Sequence, residues 1–323
     1  MRPGNGFSSV LCFVFVLLAG EVEACFTVPD KVDRLRAVGS LAGLEAEMRR
    51  TYSNDGEFAP IPKPGPGDWL DSHKEGGQTY AQFVRSRPNL PRGVRRKLYI
   101  QPLGDFDKDK APGIQLLREY TEAYYYPMQV IVLPAIKLAG IRERENAGQK
   151  QLLTTDLLNA LEKRLPRDAY SVLGLTMSDL YAGEGWNFVF GQARYRTRVG
   201  VFSFARYHPS FHGGQAEDKK LVARLILRRA AKVLTHETGH MFGIKHCIHY
   251  HCNMNGANNL EEADSNPMHL CPVCLRKLHL GVRFDPVTRY EKLKKFYLKH
   301  GLISEAAWAE KRISKIAPKR QGD

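Results

Sequence analysis

The chain has 323 residues, of which 43% are hydrophobic and 25% charged, a balance typical of one large or two ordinary globular domains with a sizeable core. The formal net charge of +14 would favour an anionic partner. The basic residues are spread over the whole length, however, which is typical of solvated faces, so we expect no nucleic-acid partner. After the first two dozen residues, the sequence contains no segment long and apolar enough to cross a bilayer.

The first 24 residues differ from the rest of the chain. A nearly unbroken apolar run extends from Phe7 to Ala19, and the small residue Ala24 follows it closely. This pattern predicts a secretory signal peptide over residues 1–24 and an exported protein, either secreted or periplasmic. The alternative is a buried N-terminal helix or an uncleaved anchor, with the protein in the cytoplasm. Cys25 could carry a lipid after cleavage, and we expect membrane association only in that case.

Residues 25–95 form a predicted N-terminal extension. Apolar residues recur every three or four positions over residues 32–48, which predicts one amphipathic helix weakened by Gly39 and Gly43. Residues 57–68 interleave prolines with glycines, a composition that sustains neither helix nor strand. We expect this stretch to be a linker or a wrapped loop, and the helix to pack on the domain that follows.

Residues 96–285 alternate strand-like and helical segments. Strands are predicted at residues 97–103, 128–133, 171–176, 188–193 and 201–205, and helices at residues 114–126 and 156–164, the second capped by Thr154 or Thr155. This alternation predicts an α/β domain with a mostly parallel sheet. A further helix, with apolar residues at helical spacing from Leu221 to Leu234, leads directly into a histidine motif.

The histidine motif has the spacing of a metal site. His236 and His240 are four positions apart, so on a helix they lie on one face and can reach a single metal ion. Glu237 lies one step round the helix, where it can take a proton from water as a general base instead of binding the metal. Gly243 can end the helix in a left-handed conformation and turn the chain, so that His246 becomes the third ligand. This pattern predicts a catalytic zinc site.

Four cysteines follow the motif, namely Cys247, Cys252, Cys271 and Cys274. In an oxidising compartment, four clustered cysteines could form two disulfides. The two-residue gap between Cys271 and Cys274 is instead common in structural zinc sites, where four thiolates bind the ion. We therefore expect two zinc ions per chain, one catalytic and one structural.

Other polar residues near the motif are weaker candidates. His249 and His251 lie between two of the cysteines and could compete as metal ligands, but we expect them to be surface residues. His208, His212 and His269 are candidates for stabilising a transition state, and Asp179 and Asn187 are polar residues that could reach a cleft. The sequence does not choose among them.

Residues 286–323 are predicted to form two helices and a basic tail. Asp285 and Pro286 are a favourable cap and first-turn pair, and Gly301 ends the helix that they start. A second, short helix is predicted from Ser304. From Lys311 onward the basic tail is predicted to be disordered.

The sequence resembles a known family of zinc peptidases. A third histidine after the glycine, followed by Met254, resembles the metzincin clan, whose members carry a methionine turn. The cysteines directly after the motif resemble the archaemetzincins more narrowly, as do the segments WNFVFGQA at residues 186–193 and GVFSFARY at residues 200–207. The resemblance covers residues 95–285.

The resemblance implies an α+β metzincin-like fold, with a mixed, mostly parallel twisted sheet, an active-site helix and a smaller C-terminal subdomain held together by zinc. It implies that Met254 lies under the catalytic zinc and that the four cysteines bind the structural one. It also implies an edge strand at Gly200–Arg206 that pairs with an extended substrate. A core strand is the alternative, because apolar alternation does not distinguish the two.

We therefore expect a monomeric zinc metallopeptidase that acts on peptides or proteins, with a specificity that resembles aminopeptidases. Zinc would polarise the scissile carbonyl and acidify its water, while Glu237 takes the proton and returns it to the leaving amine. The alternative from another class is a non-catalytic zinc module that binds nucleic acid or protein. Glu237 argues against it, because a binding module needs no general base.

Overall fold

The computed structural model describes residues 26–54, 56–214 and 218–317, so the predicted signal peptide and Cys25 lie outside the described residues. The strands are β1 (Lys97–Leu103), β2 (Val130–Val132), β3 (Glu143–Asn146), β4 (Gln149–Leu153), β5 (Ala169–Thr176), β6 (Asp179–Tyr181), β7 (Gly191–Arg194) and β8 (Val199–Ser203). The helices are α1 (Lys31–Val38), α2 (Ala46–Tyr52), α3 (Trp69–Ser72), α4 (Tyr80–Arg85), α5 (Ile114–Tyr124), α6 (Thr154–Glu162), α7 (Lys219–Met241), α8 (Leu260–Ser265), α9 (Pro272–Val282), α10 (Pro286–Lys299) and α11 (Ile303–Ile316). No helix within these ranges is both long and apolar enough to span a membrane.

Five strands form the main sheet, in the order β2-β1-β5-β8-β7. The pairs β1–β2, β1–β5 and β5–β8 are parallel, and β7 runs antiparallel to β8. The central strand β5 is buried along its whole length, as expected for a parallel strand covered on both faces. The predicted mixed, mostly parallel sheet is confirmed.

The predicted edge strand at Gly200–Arg206 is wrong, and the alternative of a core strand applies. Strand β8 is bonded to β5 on one side and to β7 on the other, and Val201 and Phe202 are fully buried in separate apolar clusters on its two faces. The edge strand on this side of the sheet is β7, and β2 is the edge strand on the other side. Apolar alternation occurs in central and edge strands alike, so it could not identify the edge.

A second, three-stranded sheet has the order β3-β4-β6. Strands β3 and β4 are an antiparallel hairpin of mostly polar residues, and therefore lack the apolar alternation by which a strand is recognised in a sequence. Gln151 on β4 is buried and donates a hydrogen bond of 2.8 Å to Asp179 on β6. Gln151 and Asp179 lie opposite each other in the parallel pairing of β4 with β6, so this side-chain bond adds to the backbone pairing of the two strands.

Two predicted helices differ from the observed ones. The single helix over residues 32–48 is broken into α1 and α2, because Gly39 and Gly43 have φ angles of 79° and 78°, a left-handed region in which side chains cause strain. Helix α6 has no threonine cap. It begins at Thr154 itself, after Leu153, and the Thr154 hydroxyl donates to the Tyr181 carbonyl at 3.2 Å.

Helix α7 carries the histidine motif. The Asp218 side chain caps it by accepting hydrogen bonds from the backbone N–H groups of Lys220 and Leu221. Ala230 and Leu234 are fully buried in the core, and the helix packs on β5, β7 and β8. The C-terminal half of α7 therefore lies beside the edge strand of the main sheet.

The first C-terminal helix is as predicted, and the second is longer than predicted. Asp285 caps α10 through a hydrogen bond from the Thr288 backbone, and Gly301 follows the helix end, as expected. Helix α11 continues to Ile316, so the predicted disorder is wrong for residues 311–316. The cause is burial, because the last turns pack Ile316 into the apolar core.

Burial also determines the conformation of the proline-rich stretch at residues 57–68. Arg312 on α11 pairs with Glu57 at 3.2 Å, with both side chains only 1% exposed, and it donates to the Thr51 carbonyl at 3.0 Å. Phe58 is buried in the same region. The stretch is therefore a wrapped loop tied to the C-terminal helix. The core combines side chains from the N-terminal extension, the catalytic part and the C-terminal helices. The boundaries between these three segments remain predictions.

We expect Arg312→Met to destabilise the protein by about 3 kcal/mol, since removing one partner of a buried ion pair leaves the other charge uncompensated. The expected loss of stability is at the lower end of the usual range, because Lys315, 2.6 Å from Glu57, still compensates part of the Glu57 charge. Denaturant unfolding measures the change. Lys311→Met, on the exposed side of the same helix, is the control. Equal stability of the two variants would contradict the structural role of this pair.

Candidate active site and metal centres

Three histidines converge at the end of α7. His236 and His240 lie on one face of its last turns, as the spacing predicts. Gly243 has a φ of 83°, the left-handed conformation that lets the chain reverse directly after the helix. His246 returns to the same point, and the potential ligand atoms of the three residues all lie within 4.8 Å of one another.

Each imidazole is tethered through Nδ1. His236 Nδ1 donates to the Asn253 carbonyl at 2.8 Å, and His240 Nδ1 donates to the Ile244 carbonyl at 2.7 Å. Because carbonyls only accept, both rings carry their proton on Nδ1 when neutral. Burial keeps them neutral by lowering the pKa of His240 to about 3 and that of His236 well below its ordinary value.

As a result, the Nε2 lone pairs of His236 and His240 face each other. The Nε2 atoms of His236 and His240 are 3.0 Å apart, and neither carries a proton in this tautomer. Two acceptor nitrogens at this distance repel unless a cation lies between them. Neutral imidazoles held by partners on the far nitrogen are the donor set that zinc prefers, so these residues fit a zinc ion.

The third histidine depends on a residue that the sequence did not indicate. His246 Nδ1 lies 2.7 Å from Oε1 of Glu75, which belongs to the N-terminal extension. Burial is the largest single influence on the Glu75 carboxyl and opposes its charge, but the hydrogen bond and charge of His246, together with a hydrogen bond from Trp69, outweigh burial and lower the pKa of the carboxyl. Trp69 and His73, from the same part of the extension, stack at 3.8 Å and line the cleft. Their sequence separation from the motif explains why no local pattern connects them to it.

Glu237 lies in the same cleft, a cavity of about 680 Å³ lined by all three histidines and by the edge strand β7. The carboxyl group is buried, and burial raises its pKa to about 8. A base with a pKa near neutrality is suited to taking a proton from water and releasing it again. The backbone of β7 approaches closely, since a side chain at Gly191 would meet the Glu237 carboxyl at 2.7 Å.

Met254 lies directly beneath the motif. A Cβ atom on Gly239 would be 2.6 Å from the Met254 sulfur, so the helix approaches the methionine at a residue without a side chain. The Met254 carbonyl accepts a hydrogen bond from the Cys247 backbone N–H at 2.7 Å. This bond connects the methionine to the residue next to His246.

The four cysteines form a second cluster. Cys247, Cys252, Cys271 and Cys274 are buried and unbridged, with all sulfurs within 4.8 Å of one another. Cys252 Sγ accepts hydrogen bonds from the backbone N–H groups of Met254 at 3.5 Å and Cys271 at 3.2 Å. Four convergent sulfurs, one of which accepts two backbone hydrogen bonds, fit a structural zinc ion.

The weaker candidates fall in different places. His249 is buried, so its expected surface position is wrong, and the packing of the extension around Gly77 against it is the cause. His269 stacks on Trp308 and does not line the cleft, and His208 and His212 do not line it either. Asn187 does line the cleft. Asp179 forms an ion pair with Arg206 at 2.7 Å.

Comparison with known proteins agrees with this geometry. The model of peptidase family M54 matches residues 117–280. Archaemetzincin-2 from Pongo abelii and from Homo sapiens are each 38% identical over 265 residues, covering 73% of this chain and 73% of the relative. The crystal structure of archaemetzincin from Methanopyrus kandleri is 31% identical, with a TM-score of 0.46 over 60% of this chain and 99% of that one. The chain therefore belongs to the archaemetzincins, peptidase family M54, and is a zinc metallopeptidase.

Proposed function

We propose that His236, His240 and His246 bind the catalytic zinc and that Glu237 is the general base of peptide hydrolysis. The observation that carries this assignment is the convergence of three imidazoles, each tethered through Nδ1, beside a buried carboxyl group. Met254, under Gly239, supports the metzincin arrangement.

Peptide hydrolysis in this cleft needs a Lewis acid, a general base and a surface that binds the substrate. Zinc supplies the Lewis acid that polarises the scissile carbonyl and makes water more acidic. Glu237 takes a proton from the attacking water and transfers it to the leaving nitrogen. Strand β7 is bonded to β8 on one side only, so its free edge can pair with an extended peptide along the cleft.

A second zinc ion at the four cysteines completes the proposal. His246 and Cys247 are neighbours, and their side chains belong to the histidine and the cysteine cluster respectively. The structural ion would therefore hold the segment that supplies the third catalytic ligand.

We expect Glu237→Gln to lower the rate of peptide hydrolysis about 10^2- to 10^4-fold while zinc stays bound, because the amide keeps the shape but cannot take a proton. Cleavage of a peptide library with free and acetylated N-termini, with and without a zinc chelator, gives the activity and tests the aminopeptidase-like preference. Zinc analysis of the same samples gives the metal content. Glu261→Gln, an exposed carboxylate outside the cleft lining, is the control. A variant that keeps more than about a tenth of the wild-type rate would disprove this role.

We expect two zinc ions per wild-type chain, and Cys274→Ser to lose the structural ion. Binding by four thiolates contributes on the order of 10 kcal/mol in small zinc modules, so the variant should also unfold at lower temperature and lose activity indirectly. Elemental analysis counts the zinc ions, and titration under denaturing, metal-free conditions counts the free thiols. One zinc in the wild type, together with no titratable thiol, would show disulfides instead.

Export is a separate proposal, supported by the apolar run from Phe7 to Ala19. We expect protein from its native host to begin at or near Cys25. Mass spectrometry of the intact protein decides this, and a lipid mass on Cys25 would show membrane anchoring. An intact N-terminus at Met1 in a cytosolic fraction would show that the protein is not exported.

A further inference from the structure

One segment of the N-terminal extension, Trp69–Gln78, contacts the turn that carries His246 at three points. The Glu75 carboxylate accepts a hydrogen bond from His246 Nδ1 at 2.7 Å. The Gln78 side chain donates to the Gly243 carbonyl and accepts from the Lys245 backbone N–H, both at 3.3 Å. The Trp69 ring meets the His246 imidazole edge-on, with 4.9 Å between the ring centres. The turn is therefore held from outside the histidine motif.

The three histidines differ in what tethers them. His236 and His240 donate to carbonyls of Asn253 and Ile244, which lie within the motif and its methionine turn. The partner of His246 is instead a carboxylate 171 positions earlier in the chain. A charged acceptor forms a stronger hydrogen bond than a carbonyl does and makes the ring a more basic metal ligand. The turn after α7 thus has the stronger tether.

The segment is itself anchored at both ends. The Trp69 backbone N–H donates to both carboxylate oxygens of Glu262, at 2.9 and 3.1 Å. At the other end, Gln78 is buried and its carbonyl accepts a hydrogen bond from the Lys277 ammonium group. Because both anchors belong to the catalytic part of the chain, Glu75 is held at a fixed distance from His246.

We propose that Glu75 is a positioning residue of the catalytic centre, which orients the His246 ring so that its Nε2 faces the zinc ion. This proposal rests on the ligand assignment made above. The competing explanation is that the bond only attaches the extension to the body. An attachment of this kind, between side chains that are 18% and 24% exposed, would change folding stability and leave metal affinity unaltered.

Glu75→Ala and Glu75→Gln, in the full-length chain, distinguish the two explanations. We expect Glu75→Ala to weaken zinc binding at the histidine site about 10- to 100-fold, the usual effect of removing the partner of a ligating histidine. Glu75→Gln should lose less zinc affinity, because the amide oxygen still accepts the hydrogen bond from His246 Nδ1. Some affinity should still be lost, because the amide carries no charge. Glu45→Gln is the matched control, since Glu45 is exposed in the same extension and makes no side-chain capping bond.

Chelator competition gives the affinity of each site, and the visible spectrum of the cobalt(II)-substituted protein reports the ligand geometry independently of activity. The cysteine-bound ion should be unaffected. With that ion retained and the histidine site emptied, Glu75→Ala and the wild type should unfold at similar temperatures. Wild-type affinity and spectrum in Glu75→Ala would overturn the positioning role, as would loss of stability alone. Failure of the ligand assignment looks different, because the wild type itself would then bind no metal ion at the histidines.

Discussion

The structure depends on the convergence of imidazole lone pairs at the end of α7. Hydrogen bonds from Nδ1 to fixed acceptors leave Nε2 of His236 and His240 unprotonated and only 3.0 Å apart. This arrangement is unfavourable without a cation and favourable with one, so the binding of zinc and the folding of the motif are coupled. The burial that lowers the pKa of both rings acts in the same direction, because it removes the competing proton.

The histidine cluster and the cysteine cluster share one short stretch of backbone. His246 and Cys247 are adjacent, and the Cys247 N–H donates to the Met254 carbonyl while the Met254 N–H donates to Cys252 Sγ. The Asn255 side chain closes the same loop by donating to the carbonyls of Cys247 and Tyr250. The cysteine cluster therefore stabilises the position of the third histidine and of the methionine at once, although no cysteine lines the cleft.

Local patterns in the sequence were sufficient for the motif and for most of the main sheet. Spacing along one helix places His236, Glu237 and His240, and a left-handed glycine explains the return of His246. Features that arise from contacts distant in sequence could not be predicted in this way. Glu75 lies in the extension and has no spacing relation to the motif, and the polar hairpin β3–β4 has no apolar alternation. The choice of β7 over β8 as the edge strand depends on sheet order, which alternation does not encode.

The central claim is that three histidines, and not Glu237, coordinate the catalytic zinc. Crystal diffraction data collected on both sides of the zinc absorption edge test it most directly, because anomalous scattering locates the ion without assumptions about its ligands. The account predicts a zinc peak about 2.0 to 2.1 Å from Nε2 of His236, His240 and His246, with the Glu237 carboxylate outside bonding distance. A zinc ion bonded to Glu237, or no peak among the histidines of metal-loaded protein, would contradict it.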